Sequence, residues 1–289
     1  MVEVNLVLPL LAAVFAALSN IVAKVLLDDL DFREFIAVSF IWIALFMTPL
    51  ALLRFELRVT WTAALLVGAV VATDAAANYL YFEAMDVQEV SRLSAVFALG
   101  PLFTMLFATV FLPAHLTLAS GAAVLTIVAA VYLLNADGSG LLQPFREMLR
   151  ERNYAAIGAA LLFGLSAIPA RYALTEYAVT NPETLYWVRA LAIGAVLLTV
   201  FRPEIRSYTR RTMAAIAGRS LLVIVQWMLY LYAVMGSNVL TTSALARTTP
   251  VWTLLFGWLV LDESVTRRKV AAIGLILVTV VFLQSRTFI

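Results

Sequence analysis

Residues 81–114, YFEAMDVQEVSRLSAVFALGPLFTMLFATVFLPA, and residues 230–263, YLYAVMGSNVLTTSALARTTPVWTLLFGWLVLDE, are two copies of one pattern. Laid over each other, Tyr81 meets Tyr230, Ala84 meets Ala233, Ser94 meets Ser243 and Pro101 meets Pro250. The offset is 149 residues, about half of a 289-residue chain. Each copy is the end of one apolar helix, a short polar break, and a second apolar helix with a proline inside it. A repeat of this size sets the architecture before any single motif does.

Composition names the solvent. Hydrophobic residues make up 63% of the chain, charged residues 13%, and the mean hydropathy is +0.96. Soluble domains are about 45–50% apolar, so this surface faces lipid. In lipid every backbone polar group must be paired internally, which leaves helices or closed barrels. The apolar runs are too long for barrel strands and do not alternate. The expectation is an all-α integral membrane protein.

About ten apolar segments follow, near 4–27, 34–53, 61–84, 88–112, 117–135, 154–176, 183–201, 212–235, 238–261 and 267–285. Each is about the 20 residues a span needs. The longest connection, 136–153, holds Gly138, Gly140, Pro144 and the charged run Arg146 to Arg152. It divides the chain into a first repeat, 1–135, and a second, 154–289, of five helices each. Five is odd, so the second repeat enters the membrane from the opposite side. Inverted repeats of this kind are common in secondary transporters, with the site near the midplane between the halves.

The first helices of the halves also correspond. Leu18-Ser19 aligns with Leu165-Ser166 and Lys24 with Arg171, at an offset of 147 residues. Through these residues the chain resembles the drug/metabolite transporter superfamily, in its ten-helix form with two EamA-type domains. LSNIVAKVLL (18–27) and LSAIPARYAL (165–174) are similar to the first helix of each EamA unit, with its basic residue near the end. Tyr186-Trp187-Val188-Arg189-Ala190 resembles the arginine-bearing second helix. The stretches around Pro101 and Pro250 resemble the proline-containing fourth, and Leu261-Asp262-Glu263 its acidic ending. The first half departs from the pattern, with Phe40 opposite Arg189 and Pro113-Ala114 opposite Asp262-Glu263. The resemblance implies a fold and a transport activity and leaves the substrate open.

Several polar residues fall inside apolar segments, where a charge costs about 2.5–3.5 kcal/mol on insertion scales. Lys24 and Arg219 stand close enough to segment ends for snorkelling to the interface, the better reading for Arg219. Arg171, Arg189 and Arg247 reach similar depths from one face, roughly 8–14 Å at 1.5 Å per residue. They read either as an anion-attracting wall of the substrate pathway or as structural cations tied to helix-end carbonyls, Glu176 or Glu183. Asp74 is the one carboxylate near the middle of a segment, with Asn78 a turn on and Tyr81 beside it. It reads as a proton-coupling group or as the fixed partner of an arginine. Gln226, Trp227 and Tyr230 suit a cavity that stacks and hydrogen-bonds a small solute, or simple helix packing. Ser94, Thr241, Thr242, Ser243, Thr248 and Thr249 precede the helix-breaking Pro101 and Pro250. They are suited to satisfying freed carbonyls and to lining a pathway.

The functional expectation is a secondary transporter of a small organic metabolite or drug, working by alternating access between the repeats. The alternatives are a lipid or lipid-carrier flippase on the same fold, or an intramembrane enzyme. For the last there is no HExxH, no GxSxG and no cysteine. No cofactor and no metal are expected, and the catalytic set is empty. The expected partners are a small-molecule solute and the bilayer, without nucleic acid, in the cell (plasma) membrane. One chain holds both halves, so a monomer suffices and a homodimer is compatible. Orientation stays open. Arg33, Arg146, Arg210 and Arg267 mark the connections after odd-numbered segments, while the others, with the tail, carry Arg54, Arg58 and Arg286. That bias puts the termini outside, whereas the resemblance puts them in the cytoplasm.

Overall fold

A computed structural model of the chain describes residues 2–87, 93, 97, 100–111, 121–122, 125–126, 129–130, 154–203, 208–236, 242, 245–246, 248–261, 267, 270–271 and 274–275. These form α1 (Val2–Leu27), α2 (Phe32–Leu53), α3 (Trp61–Val87), α4 (Gly100–Phe111), α5 (Tyr154–Arg171), α6 (Pro182–Phe201), α7 (Arg210–Gly236) and α8 (Thr249–Leu261). A single π-helical turn, Tyr172–Glu176, continues α5. Among the described residues there is no strand, only an isolated bridge between Leu57 and Thr180. Among the described residues, six helices are long and apolar enough to cross a membrane. The chain is a multi-pass membrane protein. Most of the segments expected at 117–135 and 267–285, with the linker 136–153, lies outside the described residues.

Helix starts are set locally. The Asp31 carboxylate accepts from the Arg33 amide at 2.8 Å and caps α2. Asn181 accepts from the Thr184 amide at 2.8 Å, and Pro182 opens α6 where no amide is needed. Outward faces remain apolar: Leu45, Leu65, Val110, Val196 and Leu259 are all more than half exposed. A continuous apolar exterior is what lipid requires and water forbids. Inward, α1 presents Ala12, Ala13, Ala16, Ala17 and Ala23, all buried, and this small-residue face lets α7 approach closely.

The packing obeys the repeat. By the alignment, α1 corresponds to α5, α2 to α6, α3 to α7 and α4 to α8. The broadest contacts are α1 with α7, α3 with α5, and α2 with α6. Exchanging the halves converts the first into the second and returns the third to itself. The contacts of α4 with α5 and α1 with α8 are likewise mates, as are α2 with α7 and α3 with α6.

Loop contacts obey it too, at opposite ends of α2. At its start, the Tyr208 hydroxyl donates to Glu34 at 3.0 Å, and burial together with that carboxylate pushes the Tyr208 phenol up from its ordinary value. At its end, residues 54–58 meet the segment 179–184. The Arg58 amide donates to the Val179 carbonyl at 2.8 Å, and Glu56 to the Thr184 hydroxyl at 3.0 Å. There the Arg54 guanidinium and the Tyr232 hydroxyl converge on buried Glu183, at 3.2 and 2.6 Å. The expected partner of the deep arginines, Glu183, is thus held by a different one.

Candidate functional site

Helical spacing puts one face of α3, Val70, Asp74, Asn78, Tyr81 and Phe82, opposite one face of α7, Arg219, Val223, Gln226, Trp227, Tyr230 and Leu231. Both faces line one cavity of about 160 Å³. Its other walls include Ala16, Ser19 and Asn20 of α1, Phe163, Ser166 and Ala167 of α5, Phe40 of α2, and Tyr186 and Arg189 of α6. The lining is built largely from repeat mates. Tyr81 pairs with Tyr230, Ser19 with Ser166, Val70 with Arg219, Asp74 with Val223, Phe40 with Arg189, and Asn78 with Trp227. The cavity therefore sits on the approximate two-fold relation between the halves.

The charges break that symmetry. Arg189 Nη1 lies 2.5 Å from Asp74 Oδ2, and both side chains are buried, at 3% and 1% exposure. This pair joins the two halves. The Arg189 guanidinium also lies over two rings, 4.4 Å from the Tyr186 centroid and 4.0 Å from that of Trp227. A desolvated cation held over aromatic faces at such distances gains about 2 kcal/mol or more. Of the two readings of Asp74, the partner of an arginine is the arrangement present. The ionic contact is single, and it leaves Asp74 Oδ1, Arg189 Nε and the Tyr186 hydroxyl buried without hydrogen-bond partners. Nearby, the Ser19 hydroxyl reaches Gln226 Oε1 at 3.5 Å across the halves, and Asn78 Nδ2 donates to the Asp74 carbonyl at 2.8 Å.

Arg219 corrects the reading of a snorkelling side chain. It is 6% exposed and lines the cavity, with its guanidinium 5.4 Å from the Phe35 ring and 5.2 Å from Phe82. It stands nine residues into α7, about 14 Å from that helix end. The residues α2 and α3 bring over it close the way to the interface. The signal was present in the sequence, since 219, 223, 226 and 230 share one helical face.

Arg171 is not in the cavity wall. Its guanidinium donates to the carbonyls of Val234 and Met235, near the end of α7. Lys24 does the same in the first half, donating to the Met85 carbonyl near the end of α3 at 3.2 Å. Met85 and Val234 are 149 residues apart, so the two contacts are repeat mates. The basic residue at the end of each repeat's first helix clamps the carbonyl end of its third, where a cation is favoured.

Arg247, Ser94, Thr241 and Ser243 lie outside the described residues. Pro101 and Pro250 fall in α4 and α8. Thr249 donates to the Ala246 carbonyl at 2.9 Å, the group that Pro250 deprives of its helical donor, and it also lines the cavity. Thr248 bonds the Leu245 carbonyl at 2.8 Å and Thr242 that of Ala233 at 3.4 Å. Sequence reasoning missed Tyr186, Phe163, Ser19 and Ser166 as cavity residues. Among the described residues no cluster of three metal-ligating side chains occurs.

A family model described as the EamA-like transporter family matches the chain twice, at residues 5–136 and 153–284. A solved structure, recorded only as the crystal structure of a protein, is similar over 98% of this chain and 97% of its own, with a TM-score of 0.71 and 17% identity. That likeness shows the fold. No curated protein matches.

Proposed function

Since the chain belongs to the EamA-like transporter family, we propose that it is a secondary transporter that moves a small organic metabolite or drug by alternating access between two inverted five-helix repeats. The observation that carries this reading is the cavity on the two-fold relation, bridged by Asp74 of one half and Arg189 of the other. A site built by both halves is remodelled whenever they rock against each other, which is what alternating access requires. The count of ten helices, the placement in the plasma membrane and the sufficiency of one chain belong to the same proposal, as does the absence of catalysis.

The residues proposed for the pathway are Asp74, Asn78, Tyr81, Arg189, Gln226, Trp227, Tyr230 and, newly, Arg219. Arg171 takes a clamping role instead. Asp74 is the proposed proton-coupling group. A proton on Asp74 removes the charge that holds Arg189, so protonation and the joint between the halves are linked. Purified protein in liposomes, offered a labelled solute library with and without a proton gradient, tests the reading. Uptake of at least one solute is expected, with Asp74→Asn insensitive to the gradient. No movement of any solute sinks the proposal, and unchanged gradient dependence in Asp74→Asn sinks the coupling role alone.

A further inference from the structure

The described cavity wall holds two guanidinium groups and one carboxylate. Arg189 and Asp74 answer each other. Arg219 is left without a carboxylate, and its Nε has no hydrogen-bond partner. The Phe35 and Phe82 rings, at 5.4 and 5.2 Å, offer it π faces but no acceptor. We propose that the solute carries an anionic group, a carboxylate or one of equivalent charge, that docks on Arg219, with its apolar body against the aromatic wall of Tyr186 and Trp227. This rests on the transporter reading and names its substrate class, a small organic acid.

Three observations carry it. An unpaired buried cation is costly, and the cost is recovered only when an anion with good geometry arrives. The position does not need a cation for packing, because the first repeat builds the same place in the same cavity with Val70. The other unmet polar groups, Arg189 Nε and the Tyr186 hydroxyl, belong to the same cavity. Two unmet guanidinium donors, Arg219 Nε and Arg189 Nε, thus stand against one unmet carboxylate oxygen, Asp74 Oδ1, with the Tyr186 hydroxyl able to donate or accept. An inorganic anion such as chloride satisfies Arg219 but leaves the apolar surface of the cavity unused.

The test holds the body of the ligand fixed and changes its charge. Phenylacetate, phenylacetamide and phenethylamine are titrated separately into the full chain in nanodiscs, by calorimetry and by tryptophan fluorescence. Phenylacetate should bind about tenfold more tightly than the amide, the worth of one charge-assisted contact, and the amine weakest. Arg219→Gln should erase the difference between acid and amide, and Arg219→Lys should keep part of it. If the glutamine variant does not fold, the charge series on the unaltered chain still decides. Equal or tighter binding of amide or amine overturns the proposal. So does an acid preference that survives in Arg219→Gln, displacement of phenylacetate by millimolar chloride, or no phenylacetate binding at all. Flux that ignores solute charge overturns this proposal and leaves transport standing. Acid-selective binding without flux leaves it standing and ends the transporter reading.

Discussion

The Asp74–Arg189 pair is a buried ionic link between the two halves. Removing one partner of such a pair leaves an uncompensated charge and costs on the order of 3–5 kcal/mol, whereas replacing both with apolar groups is often close to neutral. Asp74→Ala should therefore lower thermal stability in detergent more than Asp74→Ala with Arg189→Met. The double variant should recover stability without recovering uptake. Recovery of both would make the pair scaffold only. Arg171 makes the contrasting case. Its contacts are with helix-end carbonyls, where a cation contributes about 0.3–1 kcal/mol. Arg171→Gln should cost that much stability and leave solute affinity untouched, while Arg219→Gln changes affinity. These two arginines show where sequence reading stops. Depth along a helix was legible from residue counting. What each guanidinium meets at that depth was not. Arg171 is turned onto the end of α7, and Arg219 is closed over by α2 and α3, and both outcomes are decided by neighbours far away in sequence.

At the scale of elements, the six long helices described were legible to within a few residues, because their signals are local. Apolar length fixes a span, and Asp31, Asn181 and Pro182 fix starts that can be seen without the fold. The inter-helix distances were not legible, since they depend on which small residue faces which backbone. Gly164 of α5 is the tightest case. A Cβ there would lie 2.9 Å from Phe103 Cβ and 3.0 Å from the Thr104 amide nitrogen of α4. Backbone cannot yield as a flexible side chain can. Gly164→Val should therefore separate α4 from α5 at a cost of about 1–3 kcal/mol, read as lost monodisperse yield in size-exclusion chromatography. Gly194, whose added Cβ would sit 3.5 Å from Phe40 Cβ, should accept alanine with little change. If the two variants behave alike, the close approach of α4 and α5 is not what limits packing.

For the whole molecule, the repeat that opened the sequence reading sharpens into a division of labour. What the halves share, Lys24 with Arg171 and Tyr81 with Tyr230, builds and lines a common scaffold. What they do not share, Asp74, Arg189 and Arg219 against Val223, Phe40 and Val70, supplies all the described charge in the cavity. In the proposed transport cycle, symmetry would let the halves exchange roles, and asymmetry would give the solute something to recognise. Exchange of roles requires that the ends of the bundle part in turn, and one end is visibly joined, by the Leu57–Thr180 bridge and the contacts around Glu183. The chain contains no cysteine, so this joint can be locked on a clean background. Residues facing each other in an antiparallel bridge have Cα atoms about 4.5–5.5 Å apart, inside the range a disulfide spans. Leu57→Cys with Thr180→Cys should form that disulfide under mild oxidation, stop solute flux, and regain it on reduction, with each single variant transporting throughout. Binding of the solute to the locked protein should persist if its cavity stays accessible from the other end. Full flux through the oxidised double variant would mean that this end never opens, and the halves would have to exchange access by some motion other than parting here.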